Sequence, residues 1–213
     1  MKKTRQLSFR NGARFSTITL LQIATIFDTA RCDSMERTGD SHDNHKTAPY
    51  SAEGFRLTNA LSRHLSWLFG EPGGTRINIS KMSFADLELP NPVFTKSVLL
   101  EIGFQQCRLP GASFQDATVT DSSFEDAALP GANFVRAYLV RTSFRGANLE
   151  GADFSKADLQ GVDFRGANLR GAKFAGASMM HADFREADLR GVNTSALNFT
   201  GAKMAGAIRD VPM

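Results

Sequence analysis

Bulky apolar residues recur at every fifth position of the chain from Ile79 to Met204, with the single exception of Thr194. Taken in steps of five, these positions define 26 consecutive repeats without an insertion. Neither the 3.6-residue period of an α-helix nor the two-residue period of a β-strand keeps positions five apart on one face. The pattern therefore predicts a solenoid whose chain turns a corner every five residues, so that each repeat buries its apolar side against its neighbours.

A second period, of ten residues, lies within the first because Phe alternates with other apolar residues at the repeat centres. Phe occupies every tenth position from 84 to 184, and Leu or a similar residue occupies the positions between. The residue two before each centre is mostly Ala or another small or apolar residue. We expect the centres to form the core, with the small residues fitting where the narrow interior leaves little room.

Three segments carry a family resemblance: ANLEGADF at 147–154, ADLQGVDF at 157–164 and ANLRGAKF at 167–174. They resemble pentapeptide repeats of the A(D/N)LXX type, and the resemblance covers 79–208. It implies an all-β solenoid, a right-handed quadrilateral β-helix with four five-residue sides and about 20 residues per coil. Positions 20 apart would then lie directly above one another, which turns the sequence into a map of the surface.

The chain divides into three predicted parts: a leader and polar linker at 1–54, an amphipathic helix and turn at 55–74, and the β-helix at 75–213. Residues 1–78 carry 11 basic and 7 acidic residues, whereas 79–213 carry 14 and 15. No acidic residue precedes Asp28. This composition is typical of a targeting segment and favours export, translocation or organelle targeting over a plain cytoplasmic protein. The alternative is a plain helix that packs on the body.

The amphipathic helix is predicted from FRLTNALSRHLSWLFG at 55–70, whose apolar residues fall at helical spacing. Gly70 is expected to end it. One interpretation is a cap over the open apolar end of the solenoid. The other is a helix that binds a partner or a membrane surface. The candidate residues for either role are Leu61, Leu65, Trp67, Leu68 and Phe69.

Two columns of the surface map are candidates for partner binding. One is an apolar and β-branched stripe on one side of three successive coils, which marks a partner site unless the chain's own N-terminal region covers it. The other is a column of arginines. The alternative for this column is an ordinary solvated face, because acidic residues lie among the arginines. The candidate residues are Val98, Leu100, Tyr138, Val140, Arg145, Arg165 and Arg185.

Candidate chemistry is scarce. The four histidines, at 42, 45, 64 and 181, do not combine with a nucleophile pattern, and Cys32 and Cys107 have no metal-ligand or disulfide spacing. We therefore predict no enzyme activity, no cofactor and no metal. The carboxylates are distributed along a convex surface rather than gathered in a cleft.

Two functions remain. The first is a non-enzymatic protein-interaction module or scaffold, which resembles secreted or translocated bacterial effectors that contain pentapeptide repeats. The alternative is a DNA mimic that binds gyrase or topoisomerase, as the resemblance to quinolone-resistance pentapeptide proteins implies. A mimic of DNA needs dense negative charge, and the balance of 14 basic to 15 acidic residues favours the first. The partner is a protein of unknown identity, no specific nucleic acid is expected, and the oligomeric state stays open.

Overall fold

The five-residue pattern folds into a stack of four-sided coils. The computed structural model describes residues 52–194 and 197–210, so the predictions for the leader and most of the linker lie outside the described residues. Parallel bridges join residues 20 apart, from Ser83↔Gly103 to Asp188↔Ile208. Each coil therefore holds 20 residues, and the quadrilateral β-helix predicted from the sequence is confirmed.

Each coil has four faces, which we name from the central residue of each side. Face A is centred on 79 and every twentieth residue after it, face B on 84, face C on 89 and face D on 94. The described corner residues, two after each centre, have φ between 51° and 75°. At the Pro110-Gly111 corner, the Ala112 N–H donates to the Leu109 carbonyl at 3.2 Å. With φ of 64° at Gly111, this corner has the features of a type II turn.

The core is two columns of Phe rings, one from face B and one from face D. Successive rings stack at 4.9–5.6 Å in the first column and at 4.8–5.2 Å in the second. Rings of opposite columns meet edge to face at 5.4–6.4 Å. Both geometries are favourable for aromatic pairs. The Phe residues, expected from the sequence to form the core, thus make two columns that contact each other across the axis.

Face A differs from the other faces because it contains the three described strands. Strands β1 (Asn78–Ser80), β2 (Val98–Leu100) and β3 (Thr118–Thr120) form a parallel sheet in that order. Four of the six residues in β2 and β3 are β-branched, which suits a pleated surface. The Ser122 hydroxyl accepts from the Ile102 N–H and donates to the Thr120 carbonyl, both at 3.0 Å, and so supports the corner between coils.

Helix α1 runs from Ala52 to Leu68, three residues longer at its N-terminus than the predicted 55–70 segment. Leu57 and Leu61 are buried in the same core cluster as the Phe columns. The helix therefore packs its apolar face on the solenoid, which supports the capping interpretation. At its C-terminal end Gly70 has φ of 70°, in agreement with the predicted stop.

The stack changes where the repeat has its one exception, Thr194. On faces B and C the described bridges reach the last coil, at Lys203 and Ile208. On faces D and A they stop one coil earlier, at Lys173 and Ser178. On these two faces the last described bridges therefore lie before Thr194, the position without a bulky apolar centre. Within 52–194 and 197–210, no helix is long and apolar enough to cross a membrane.

Candidate protein-docking face

Face A presents a surface with almost no charge. Its outward side chains are those immediately before and after each centre, and of fourteen such positions one carries a charge, Asp158. On face B, charged residues occupy most of these positions from the third coil onward. The outward positions of face A are Asn78, Ser80, Val98, Leu100, Thr118, Thr120, Tyr138, Val140, Asp158, Gln160, Ser178, Met180, Asn198 and Thr200.

The apolar content of face A is only partly available to a partner. Tyr138 is 46% exposed and Met180 is 49% exposed, which makes them two of the four exposed large hydrophobic side chains of the described chain. Val98 and Leu100 are half-buried. Val140, predicted to be outward and available, is only 6% exposed. The usable surface is therefore centred on Tyr138 and the strand residues beside it.

Two ion pairs border this surface, one at each corner of face A. Arg136 donates to Asp116 through Nε (2.6 Å) and Nη2 (2.8 Å), and Arg141 donates to Asp121 through the same atoms at 2.7 Å. Hydrogen bonding from the arginines holds the pKa of both aspartates below its usual range. Each pair joins consecutive coils. These residues were not predicted from the sequence, although an Asp and an Arg 20 positions apart in a corner column were an available signal.

The predicted arginine column lies on face B and is mostly neutralised. Arg165 pairs with Asp163 at 2.6 Å and Arg185 pairs with Asp183 at 2.7 Å, both within one side of a coil. These hydrogen bonds raise the pKa of both arginines. The Arg145 side chain has no ion pair among the described residues. A shallow depression of about 290 Å³ runs beside the column, lined by Asp126, Arg145, Gly146, Arg165, Gly166, Arg185 and Glu186.

The five helix candidates do not share one surface. Leu61 is 4% exposed and Trp67 is 37% exposed, while Leu65, Leu68 and Phe69 are half-buried. Leu61 is thus unavailable to a membrane or a partner as long as α1 stays packed on the coils.

Trp67 lies in a small cluster at the end of α1. Its ring stacks on His64, with 5.5 Å between the ring centroids, and the Arg76 guanidinium lies 5.8 Å from the indole centroid.

No group of three or more His, Cys, Asp or Glu residues that could hold a metal ion is found in the part of the chain that the structure describes. Cys107 is buried and its Sγ donates to the Phe84 carbonyl, and burial raises its pKa to about 11. Such a thiol is an inert core residue.

A family profile described as the pentapeptide repeat region matches residues 77–154 and 117–199, which together exceed half of the chain. The chain belongs to the pentapeptide repeat family. No curated protein matches this pentapeptide repeat protein.

Several solved structures are similar to it. QnrB1, a plasmid-mediated fluoroquinolone resistance protein, is 15% identical, with 62% of this chain and 82% of that chain covered at a TM-score of 0.34. A pentapeptide repeat protein of the Arabidopsis thaliana thylakoid lumen is 28% identical, covering 57% and 83% at 0.37. HetL of Nostoc, involved in heterocyst differentiation regulation, is 21% identical, covering 68% and 90% at 0.29. At these TM-scores the similarity transfers no function.

Proposed function

We propose that this pentapeptide repeat protein is a non-enzymatic protein-interaction module that binds a partner protein through face A. The observation that carries the proposal is that face A has one charged residue in fourteen outward positions and is centred on the exposed Tyr138. A patch with an aromatic and aliphatic centre, few charges and a polar border has the anatomy of a protein interface. Tyr is also among the residues that contribute most to binding.

The border of face A is charged. Asp116 and Asp121 are each paired with an arginine of the next coil, and Lys96 and Glu101 add charges at other corners of the same face. A partner with an apolar contact surface suits the outward side chains between these corners, because a charge placed there would lose hydration without gaining an ion pair. The parallel bridges between coils fix the surface in advance, which reduces the conformational entropy that binding must overcome.

The same ion pairs argue against mimicry of DNA. A mimic needs carboxylates free to replace phosphates, at a density close to one charge every few ångströms. In this chain the aspartates at 116, 121, 163, 183 and 188 each bind an arginine. In a gyrase supercoiling assay with a quinolone present, we therefore expect no rescue by the chain up to micromolar excess. Rescue near the concentration of the enzyme would place the mimic first.

A site-specific photocrosslink tests the docking proposal. The full chain carries p-benzoylphenylalanine in place of Tyr138. A matched control carries it in place of Val135, which is an outward residue of face D on the side just before Tyr138. We expect a discrete adduct with another protein from position 138 alone. A Thr118→Asp change within the same face should remove it, since a charge there opposes apolar contact.

Two results would overturn the proposal. One is an equal set of adducts from positions 135 and 138. The other is an adduct of position 138 with residues 1–51 of the same chain, identified by mass spectrometry. The second result would make face A an internal docking site, which the sequence analysis left open.

Delivery to another compartment forms the second part of the proposal and rests on the basic composition before Asp28. Secretion or translocation as an effector is one form of it. Fluorescence microscopy of the full chain and of a version that begins at Ala52 tests it. Identical distributions would remove this part without affecting face A.

A further inference from the structure

His64 is the one histidine of the described chain that is buried, with a relative exposure of 0%. It lies in α1 and contacts the first coil at two points. Its Nδ1 accepts the backbone N–H of Ile77 at 3.1 Å, and its Nε2 lies 2.8 Å from the carbonyl oxygen of Thr95. A backbone N–H can only donate and a carbonyl can only accept. The two bonds together therefore require the neutral imidazole with its proton on Nε2.

The surroundings disfavour a positive charge on this ring. Burial lowers the pKa of His64 from its ordinary value of 6.5, the bond to the Thr95 carbonyl works in the opposite direction, and the charge of Arg76 lowers it further. Other charged residues on the segments that pack around the ring are Arg63, Glu71 and Lys96. The carboxylate of Glu71 accepts a hydrogen bond from the Ser66 hydroxyl rather than pairing with the imidazole.

We propose that His64 is an acid-sensitive latch that holds α1 over the first coil, and that protonation of its imidazole releases the helix. A proton on Nδ1 removes the acceptor for the Ile77 N–H and places two N–H groups against each other. It also puts a buried cation beside Arg76. Both effects are removed when the ring swings into water, where it is hydrated in its charged form.

Release of the latch would expose the apolar surface that α1 covers. Leu57 and Leu61 share one buried cluster with Ile77, Phe84 and Leu87 of the first coil. With the helix detached, both the helix face and the coil end become accessible. Acid would thus convert a closed end of the solenoid into an apolar surface able to bind other molecules.

The direction and steepness of the pH effect follow from linkage. The released ring has the ordinary pKa of 6.5 and the docked ring has a lower one, so the open state binds more protons in the window between them. The population of the open state should rise about tenfold for each pH unit lost below 6.5, and level off below the pKa of the docked ring. Above 6.5 the ratio of open to closed states no longer depends on the titration of this ring.

Trp67 is the only tryptophan of the chain and reports directly on the latch, because its ring stacks on His64. The full chain is titrated from pH 8 to 4.5 while tryptophan emission and hydrogen exchange are followed. We expect a red shift of emission, and loss of amide protection in Ala52–Leu68 but not in the central coils. Stopping at pH 4.5 keeps the paired aspartates ionised, since their pKa lies below 3.8.

Two variants separate the latch from general acid sensitivity. His64→Gln keeps a neutral acceptor and donor in nearly the same place, so its emission should stay constant over this pH range. His181→Gln, at an exposed corner, is the matched control and should retain the transition. The proposal is overturned by constant emission and protection in the unmodified chain, or by an unchanged transition in His64→Gln. If His64→Gln does not fold, simultaneous loss of protection in α1 and the central coils of the unmodified chain is the overturning result.

Discussion

The two halves of the β-helix form corners of the same backbone conformation with different residues. Of the 13 corner positions from 81 to 141, 11 are not glycine, whereas nine of the 12 described corners from 146 to 206 are glycine. The backbone is nearly the same in both halves, with φ between 51° and 75°. The same corner conformation is therefore formed mostly by residues with a Cβ in the first half and mostly by glycine in the second half.

The difference carries an energetic cost in the first half. A residue with a Cβ in the left-handed region is strained by roughly 1–2 kcal/mol, whereas glycine is not. Asn and Asp tolerate this region better than other residues, but Lys81, Lys96 and Glu101 have no such advantage. Such strain persists only where surrounding structure determines the conformation. The stacked Phe columns and the ladder between coils supply that constraint.

What the first half gains is visible at its ion pairs. Arg136 and Arg141 reach from one corner to the corner of the preceding coil, which a glycine could not do. In the second half the corners at Gly146 and Gly166 are bare, and arginines bind aspartates within their own side instead, as Arg165 binds Asp163. For these arginines a corner side chain decides whether the ion pair joins two coils or stays within one side, whereas Lys173 and Lys203 reach aspartates of the preceding coil from outward positions.

The core should not distinguish the halves, because the Phe columns are the same in both. Phe124→Ala and Phe164→Ala remove fully buried rings and should each destabilise the fold by roughly 3–5 kcal/mol, measured by urea unfolding. Arg145→Ala, on the outward side of the same face, should change stability by no more than about 0.5 kcal/mol. A large difference between the two Phe variants would show that the halves differ in packing as well as in corners.

Adding a Cβ at the bare corners tests the strain directly. Gly166→Ala has nothing within 4 Å of the new atom and should destabilise by roughly 1 kcal/mol from backbone strain alone. Gly146→Ala has the same φ within a few degrees, but its Cβ would lie 2.2 Å from Asp126 Oδ1. Gly146→Ala should therefore lower stability more than Gly166→Ala, and this additional loss of stability should vanish when Asp126 is also changed to Gly. Equal effects of the two Ala variants would mean that Asp126 moves aside freely.

These results also define what the sequence could predict. The five-residue side and its inward centres follow from spacing, because such a side leaves one inward direction for each centre. The coil length of 20 residues, which places the Phe columns and the stripe on face A, came from the resemblance to pentapeptide repeats. Burial of Val140 was not predictable, since both outward positions of a side look equivalent in the sequence.

The bonds of His64 were hidden for a different reason. Its place on the apolar side of the helix was predicted, but both its partners are backbone groups of Ile77 and Thr95, which carry no sequence signal. The ion pairs did carry a sequence signal, because Arg136 and Arg141 each follow an aspartate by 20 residues, and Arg165 and Arg185 each follow one by two residues. The sequence places these charges within reach of one another, and the structure shows that they form hydrogen-bonded pairs.

Acid should weaken the second half through its short-range ion pairs. Hydrogen bonding from Arg190 lowers the pKa of Asp188 from 3.8 to about 2. The Asp188 carboxyl therefore binds a proton less readily in the folded chain than in the unfolded chain. The contribution of its ion pair to stability is complete above pH 3.8 and is lost as the pH falls towards 2. Asp188→Asn should make urea unfolding less pH-dependent in this window, with an effect of about 0.2–1 kcal/mol for an exposed pair. The same pH dependence in the variant would assign the acid effect to other carboxylates.

The smallest predicted effect separates corner strain from ion pairing at Arg136, where φ is 57°. Arg136→Ala keeps the strain and loses the bond to Asp116, so it should be slightly destabilising, as expected for an exposed ion pair. Arg136→Gly loses the same bond but relieves the strain, which should return stability to near that of the unmodified chain. Urea unfolding of the two variants measures the difference. If Ala and Gly are equally destabilising, the first half is not strained at this corner, and the two halves differ only in where they place their charges.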